Sequence, residues 1–342
     1  MSKKLSVDKK LELIKRNTEE IVGEEELKKL LKEKKKPVVY IGWSITGKTH
    51  LGYFIPVLKL ADFLRAGFHV KVLLADLHGA LDNTPWNLLD HRFDYYEKTI
   101  PLIFKTIGVD TKELEIVKGS EFQLKPEYMY DVLKMSSFVS INDSKRASSE
   151  VVKFGKNPQL SGLIYPVMQA VDEQYLEADV QIGGTDQRKI LMFARENLPK
   201  IGYTARVEVT FPLIPGLVGK KMSASHEKTR IDLLDDEKTV KKKIVGADMV
   251  AGDPENFPMT FLKYFIMVFK GDKSEKFVVK RDKKYGGNLE YENYNEIEKD
   301  FKSKKLHPLD LKNAVAEEIS KILKPIQKYE KELLKLAEKA YK

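Results

Sequence analysis

Short apolar segments alternate with longer helical patterns between residues 37 and 211, and this alternation limits the possible folds most strongly. The strand-like segments cover residues 38–42, 69–76, 114–118, 179–184 and 206–211. Helical patterns cover residues 50–66, 87–107, 126–175 and 187–198. Strands that alternate with helices in this way predict an α/β fold with a Rossmann-like, doubly wound parallel sheet. In such sheets ligands bind beyond the carboxyl ends of the strands, near helix N-termini.

The remaining segments predict two further regions, since 342 residues exceed a comfortable single core. Residues 1–36 show leucines at helical spacing among many lysines and glutamates, which predicts an amphipathic helical leader. Residues 37–229 carry the α/β pattern. Residues 230–342 show mainly helical patterns with one turn-rich interruption at 280–290, which predicts a smaller helical C-terminal domain.

Composition excludes several classes of protein. Cysteine is absent, so disulfide scaffolds, thiolate metal sites and cysteine nucleophiles are excluded. The net charge of +9 is concentrated at the two ends, as expected for solvated helix faces or for contact with a polyanion. The longest strictly apolar run covers only residues 264–269, and no signal-peptide core follows Met1. We therefore expect a soluble, cytoplasmic protein that does not contact a membrane.

The loop after the first strand supports two incompatible interpretations. Gly42 to Thr49 fit the Walker A pattern, and the strand ending at Asp76 could supply its magnesium partner, which would indicate a P-loop ATPase or kinase. One residue further along, His50-Leu51-Gly52 resembles the His-Ile-Gly-His signature of class I aminoacyl-tRNA synthetases, with Tyr53 replacing the second histidine. An imidazole and a glycine at a helix start suit contact with a nucleotide.

A second segment favours the synthetase interpretation. Residues 221–225, Lys-Met-Ser-Ala-Ser, follow a glycine-rich approach and resemble the second class I signature, Lys-Met-Ser-Lys-Ser, with Ala224 replacing the second lysine. A loop with ammonium groups and hydroxyls can close on a pyrophosphate leaving group and neutralise its charge. The P-loop interpretation gives this segment no role.

Further motifs indicate which group of class I synthetases the chain resembles. Tyr165, Gln169 and Asp172 lie at i, i+4 and i+7, which forms a polar stripe on a predicted helix. A Gly-Gly turn at residues 183–187 brings Asp186 and Gln187 to the carboxyl edge of the sheet. Together with residues 39–42, 74–78 and 306–315, these motifs resemble tyrosyl-tRNA synthetases of the archaeal and eukaryotic type, over residues 37–330.

This resemblance implies an amino-acid pocket. Tyr40 and Asp172 would read the phenol of a tyrosine substrate, while Tyr165, Gln169 and Gln187 would hold its α-amino end. An aspartate that accepts from the substrate hydroxyl would reject phenylalanine, because both polar groups would be left unpaired.

The resemblance also implies that ATP binds as its Mg²⁺ complex, without a protein-bound metal site. The residues implied on the ATP side are Gly42, Trp43, Thr46, Gly47, His50, Gly52, Gly184, Asp186, Lys221, Met222 and Ser223. Catalysis at the phosphates would fall to His50, Gly52, Lys221, Ser223 and Ser225.

The resemblance implies contacts with two parts of the tRNA. Tyr285, His307, Pro308 and Asp310 would read the anticodon, although Tyr285 could be a half-buried turn aromatic and Asp310 a helix cap. Lys145, Arg146 and Arg188 would meet the acceptor stem. Residues 139–162 would form the connective insertion that builds a homodimer interface.

The resemblance therefore implies an enzyme that activates L-tyrosine with ATP to tyrosyl-adenylate and transfers it to tRNA(Tyr). Two alternatives stay open. One is the P-loop ATPase or kinase, and the other is an RNA-binding or regulatory paralogue that kept the fold but lost turnover, since Tyr53 and Ala224 depart from the signatures.

Overall fold

The computed structural model describes residues 5–152, 154–219 and 229–342. The strands are β1 (Glu20–Val22), β2 (Val38–Ser44), β3 (His69–Ala75), β4 (Leu114–Lys118), β5 (Val180–Gly184), β6 (Val207–Phe211), β7 (Phe277–Val279) and β8 (Leu289–Tyr291). The helices are α1 (Val7–Lys15), α2 (Glu24–Glu33), α3 (Phe54–Ala66), α4 (Asp76–Leu81), α5 (Leu89–Ile107), α6 (Ser120–Gln123), α7 (Pro126–Ser136), α8 (Ile141–Ser148), α9 (Ser161–Tyr175), α10 (Arg188–Asn197), α11 (Glu237–Val245), α12 (Phe257–Phe261), α13 (Met267–Gly271), α14 (Tyr294–Lys302), α15 (Pro308–Gln327) and α16 (Glu330–Tyr341).

The main sheet joins six strands of the described chain in the order β1-β6-β5-β2-β3-β4. Strands β2 to β6 run parallel to one another, which confirms the α/β prediction. Strand β1 runs antiparallel to β6, with Ile21 opposite Val209, so the sheet is mixed rather than purely parallel. The leader therefore contributes an edge strand as well as helices. The sequence did not predict this strand, because three residues are too few to show an alternation of apolar and polar side chains.

Alternate residues of the central strands point into different layers. Val39 and Ile41 belong to the apolar core that also contains residues of α3 and α5. Tyr40, between them, faces the opposite layer and packs with Leu176 and Ala178 after α9. This period of two follows from the pleat of the strand and puts the Tyr40 side chain on the face that α9 covers.

The leader packs against the sheet domain instead of standing free. The Arg16 guanidinium pairs with the buried Asp62 of α3 and, at 2.5 Å, with Asp272 after α13. Lys59 of α3 donates to the Ile14 carbonyl at 2.6 Å. Buried charges need such partners, so these pairs fix α1 on α3.

Residues 230–342 are mainly helical, as predicted, and the turn-rich interruption is an antiparallel hairpin of β7 and β8. The apolar core continues from the sheet domain into this region, where the Phe54 and Phe265 rings lie 5.1 Å apart. The domain boundary at residue 229 stays a prediction. Along the described residues, no helix combines the length and apolarity needed to cross a bilayer.

Candidate active site

The sheet order creates a crevice between β2 and β5. The chain leaves β2 towards β3 and β4 on one side and returns to β5 and β6 on the other. Adjacent strands whose connections diverge leave an opening beyond their carboxyl ends, and this is where ligands bind in open α/β sheets. Ser44 and Gly184 end the two strands at this opening.

A first cavity of about 260 Å³ lies at this opening. All five residues predicted to hold the amino acid line it, namely Tyr40, Tyr165, Gln169, Asp172 and Gln187. Gly42, Trp43 and Asp186 from the predicted ATP side line it as well. We call it the amino-acid cavity.

Asp172 is buried at the base of the amino-acid cavity. Its Oδ1 accepts hydrogen bonds from Gln123 Nε2 and from the Tyr128 hydroxyl, both at 2.7 Å. Burial raises the pKa of Asp172 to about 7, against the opposing effect of these two donors. Because Oδ1 already has two donors, Oδ2 is the oxygen available to a ligand hydroxyl.

The sequence did not predict Gln123 or Tyr128. His78 belongs to the motif at residues 74–78, but no role was predicted for it. Gln123 lies on α6, which follows the edge strand β4, and Tyr128 lies on α7, but no sequence motif marks either residue. His78 lines the amino-acid cavity, with its ring edge-on to Tyr165 at 4.6 Å. Burial lowers the pKa of His78 to about 4, so the imidazole is neutral.

The other polar side chains of the cavity are held by one another. The Tyr40 hydroxyl donates to the Gln169 carbonyl at 3.3 Å, and Gln169 Nε2 donates to Gln187 Oε1 at 3.3 Å. The Tyr165 hydroxyl lies 2.8 Å from Ser44 Oγ, and burial raises the pKa of Tyr165 to about 12. The cavity therefore presents neutral hydroxyls and amides around Asp172, and the carboxyls of Asp82 and Asp186 also lie in its lining.

A second cavity of about 220 Å³ adjoins the first, and we call it the nucleotide cavity. The two cavities share Trp43 and Tyr53. His50 and Gly52 line the nucleotide cavity beside apolar side chains that include Ile55 and Leu213. An apolar cleft with few polar groups suits a flat heterocycle such as adenine.

The His50 ring is oriented by a backbone amide two residues further along the chain. Its Nδ1 accepts a hydrogen bond from the Gly52 amide at 3.1 Å. Burial lowers the pKa of His50 to about 4, with a further contribution from Arg230. The imidazole is therefore neutral, with Nδ1 as acceptor and its proton on Nε2, where it can donate to an anion.

Tyr53, which replaces the second histidine of the signature, does not supply a comparable donor. It is partly buried, and its hydroxyl lies 2.9 Å from the Tyr96 hydroxyl. Its ring stands edge-on to Trp43 and to His50, each at 5.3 Å. Tyr53 therefore packs between the two cavities and shapes the wall that they share.

The segment from Gly42 to Thr49 does not have the arrangement of a P-loop. Gly42 lies inside β2, and the first helical turn starts only at Leu51, beyond the predicted start at His50. The Thr49 hydroxyl is buried at 2.9 Å from the Tyr95 hydroxyl, whereas a P-loop needs it on the metal. Thr46 and Gly47 lie in this loop, outside the lining of both cavities.

Close packing after β5 requires glycine at both positions of the Gly-Gly turn. A Cβ on Gly183 would lie 2.7 Å from Gln187 Cβ, and one on Gly184 would lie 2.6 Å from Leu213 Cδ2. Real Cβ atoms do not approach so closely, so only glycine lets the strand turn here with Gln187 against it. Asp186 and Gln187 thereby reach the amino-acid cavity.

The predicted phosphate loop falls outside the described residues, including Lys221, Met222, Ser223 and Ser225. Its described flanks lie next to the nucleotide cavity. The Leu217 amide donates to the Thr229 carbonyl at 3.0 Å, and the Leu51 amide donates to the Ile231 carbonyl at 2.9 Å. The residues on either side of this loop therefore pair with each other and with the turn that follows His50.

The predicted anticodon residues lie on two neighbouring surface segments. Tyr285 is 65% exposed, so it is not a half-buried turn aromatic. Arg281, which sequence reasoning missed, donates from Nε to the Gly287 carbonyl at 3.0 Å and from Nη1 to the Lys305 carbonyl at 3.3 Å. It thereby ties the Tyr285 turn to the segment that leads into α15.

His307, rather than Asp310, caps α15. Its Nδ1 accepts from the Leu309 amide at 3.2 Å, and Pro308 occupies the first helical position. Asp310 lies in the first turn, where a carboxylate is favoured by the helix dipole. Its side chain has no hydrogen bond or ion pair to any residue that the structure describes.

The three residues predicted to meet the acceptor stem lie on α8 and α10, two helices that pack against each other. Arg188 pairs with Glu20 of β1 through two hydrogen bonds of 2.5 and 2.9 Å. Arg146 pairs with Asp143 at 2.8 Å, and Lys145 Nζ lies 5.9 Å from the centre of the Phe154 ring. The structure does not bring Arg188 and Arg146 into one contact.

Comparison with known proteins places this geometry in a family. The family model described as class I tRNA synthetases (W and Y) matches residues 32–324. The chain belongs to this family. The cytoplasmic tyrosine–tRNA ligase of Saccharomyces cerevisiae is 45% identical over 96% of this chain and 86% of its own length, which puts the chain in the tyrosyl branch.

Other relatives agree with this placement in the class I synthetase family. The cytoplasmic tyrosine–tRNA ligase of Danio rerio is 47% identical, and the chain spans 64% of that relative's length. A crystal structure of tyrosyl-tRNA synthetase complexed with L-tyrosine from Archaeoglobus fulgidus is 42% identical, with a TM-score of 0.87, and covers 94% of this chain and 99% of its own.

Proposed function

We propose that the protein is a tyrosine–tRNA ligase. It activates L-tyrosine with ATP to tyrosyl-adenylate, releases pyrophosphate and transfers the tyrosine to tRNA(Tyr). The observation that carries this proposal is the pair of adjoining cavities at the β2–β5 crevice, which share Trp43 and Tyr53. One cavity is polar around Asp172 and the other is apolar beside His50, as an amino acid and a nucleotide would require.

Recognition of the phenol is supported by the hydrogen bonds around Asp172. With Oδ1 occupied by Gln123 and Tyr128, Oδ2 can accept from a substrate hydroxyl. Phenylalanine would leave that oxygen desolvated and unpaired, which costs free energy. Tryptophan would bring a larger ring with an N–H at a different position, and Tyr40 with Asp172 suits a phenol better.

Formation of the adenylate needs no nucleophilic side chain. The substrate carboxylate attacks the α-phosphorus of ATP in line, a carboxylate–phosphorus bond forms, and the bond to the pyrophosphate oxygen breaks. The neutral His50 can donate its Nε2 proton in a hydrogen bond to a phosphate oxygen. Mg²⁺, bound with ATP, would neutralise charge on the phosphates.

Assembly as a homodimer is supported by exposed apolar side chains on α7, on the first residue of α8 and on the segments that flank these two helices. Of the fifteen large apolar side chains exposed in the described chain, seven fall between residues 124 and 160: Leu124, Met129, Tyr130, Leu133, Phe138, Ile141 and Leu160. Such a concentration is typical of a surface that another protein covers. We propose that a second copy covers it, and that the protein works in the cytoplasm, as the names of its relatives indicate.

The test of the activity is tyrosine-dependent exchange of labelled pyrophosphate into ATP by the full chain. We expect exchange with tyrosine and little with phenylalanine or tryptophan. Folded protein that binds tyrosine but shows no exchange would instead indicate a paralogue that lost turnover. Hydrolysis of ATP to ADP with release of phosphate, in the absence of any amino acid, would favour an ATPase.

The tRNA step is tested separately with Tyr285→Ala. Because this exposed ring lies on the C-terminal region, we expect the KM for tRNA to rise by about tenfold, as for loss of one stacked base, while pyrophosphate exchange is unchanged. An unchanged KM for tRNA would reject the anticodon role of Tyr285.

A further inference from the structure

The loop of residues 45–49, which we call the nucleotide loop, is held in place by side chains that come from distant parts of the chain. The Gly47 carbonyl accepts two hydrogen bonds, from the Tyr96 hydroxyl at 2.6 Å and from the Tyr341 hydroxyl at 2.7 Å. Arg92 Nη1 donates to the Thr46 carbonyl at 2.7 Å. Each of these donors fixes a peptide group of the segment that leads into His50.

The donors from α5 and α16 also hold one another. Arg92 Nε donates to the Ala340 carbonyl at 3.2 Å, and its guanidinium carbon lies 5.0 Å from the centre of the Tyr341 ring. The Tyr341 ring stands edge-on to Tyr95 of α5 at 5.6 Å. The last turn of α16 is therefore one wall of the enclosure around the nucleotide loop.

Because residue 47 is a glycine, the hydrogen bonds to its carbonyl are important for the conformation of the nucleotide loop. A glycine peptide has wide conformational freedom, so its orientation depends on external hydrogen bonds more than that of other residues. A carbonyl has two lone pairs, and Tyr96 and Tyr341 use both. Loss of the Tyr341 hydroxyl would leave one lone pair unsatisfied beside half-buried backbone.

We propose that Tyr341, near the C-terminal end of the chain, is a positioning residue for ATP binding. Its hydroxyl holds the Gly47 peptide in the orientation that carries His50 and Gly52 to the nucleotide cavity. The inference rests on the proposed function, because it assumes that this cavity takes the nucleotide. It also ties the seating of α16 on α5 to the affinity for ATP.

The test is Tyr341→Phe in the full chain, which removes one oxygen and keeps the ring. Magnesium–ATP and tyrosine are titrated separately into each protein by calorimetry. We expect the Kd for ATP to rise about three- to tenfold, the range for loss of one hydrogen bond, with the Kd for tyrosine unchanged. Tyr96→Phe removes the other donor to the Gly47 carbonyl together with the contact to the Tyr53 hydroxyl, so the Kd for ATP should rise here as well.

Tyr329→Phe is the matched control. Its hydroxyl, next to α16, contacts Lys105 at 3.4 Å and does not reach the nucleotide loop. We expect the ATP affinity of this variant to equal that of the wild type. Tyr341→Phe with an unchanged Kd for ATP, or with both Kd values raised alike, would overturn the proposal. Binding is measured without turnover, so the comparison of Kd values does not depend on catalysis. Wild-type protein that lacks pyrophosphate exchange would reject the proposed function, and the effect of Tyr341→Phe on ATP binding could still be measured.

Discussion

At the scale of single residues, the proposed recognition of tyrosine depends on the ionisation of Asp172. Burial raises its pKa to about 7, and the ionised carboxylate is the better acceptor for a phenol O–H. As the pH rises through the pKa, the fraction of free protein with ionised Asp172 increases. We expect tyrosine to bind about tenfold more weakly at pH 6 than at pH 8.

Calorimetric titration of tyrosine at pH 6, 7 and 8 measures this dependence. His78 stays neutral across the range, because its pKa is lowered to about 4. Asp172→Asn is the control, and it should weaken binding at every pH and remove the slope. A slope that persists in Asp172→Asn would assign the titration to another group.

Tyr128 sets the acceptor strength of Asp172 and gives a second prediction. Tyr128→Phe removes one of the two donors to Oδ1 and leaves Gln123. Loss of a hydrogen bond to the carboxylate should raise the KM for tyrosine about three- to tenfold and move the binding pH midpoint upward, with the KM for ATP unchanged. Steady-state exchange kinetics measure the two KM values.

Tyr130→Phe is the matched control for Tyr128→Phe. It lies on the same helix, but its side chain is 67% exposed, so its hydroxyl is not part of the cavity. Equal effects of the two substitutions on the KM for tyrosine would contradict the role of Tyr128.

The residues that could be read from the sequence are those with a local signal. Tyr165, Gln169 and Asp172 follow one face of a single helix, and Gln187 follows a Gly-Gly turn, so period and turn chemistry place them together. Gln123 and Tyr128 reach Asp172 across 49 and 44 residues of chain. Such a contact depends on how α6 and α7 pack against α9, which no local pattern encodes.

At the scale of elements, the turn between β5 and α10 delivers Gln187 to the amino-acid cavity. Gly183→Ala would put a Cβ 2.7 Å from Gln187 Cβ, so α10 or the strand must shift. We expect a loss of about 1–3 kcal/mol in the free energy of unfolding, typical of overpacking, and a higher KM for tyrosine. Urea unfolding and exchange kinetics measure the two effects.

Gly271→Ala serves as its control, because a Cβ there meets nothing within 4 Å. This substitution, at the end of α13, should leave the KM for tyrosine unchanged and stability within about 0.5 kcal/mol. If Gly183→Ala matched it on both measures, the close approach would have no importance for the site.

Most elements could be predicted because buried strands and long helices carry strong periods. The exceptions are short. Strand β1 has three residues, and its pairing with β6 joins positions almost 190 residues apart, as Ile21 with Val209 shows. The helix expected from His50 begins at Phe54, after a turn whose Leu51 amide donates to the Ile231 carbonyl, a contact that apolar spacing does not reveal.

At the scale of the whole molecule, neither composition nor charge reveals which surface another subunit covers. A net charge of +9, most of it near the two ends of the chain, is compatible with RNA contact and with solvated helices. The concentration of exposed apolar side chains between residues 124 and 160 became visible only in the structure, since burial depends on tertiary packing. This surface carries the proposed homodimer.

Leu133→Glu tests that assembly. Leu133 is 68% exposed on α7, in the middle of the apolar surface. In a homodimer each subunit would bury one unpaired carboxylate, and such a charge costs several kcal/mol, enough to shift a dimer to monomers at micromolar concentration. We expect light scattering after gel filtration to give twice the chain mass of 39.3 kDa for the wild type and a value near 39.3 kDa for Leu133→Glu.

Leu334→Glu, at a leucine that is 52% exposed on α16, should stay dimeric. A wild type that is monomeric at the same concentration would contradict the homodimer, and a dimeric Leu133→Glu would place the interface elsewhere.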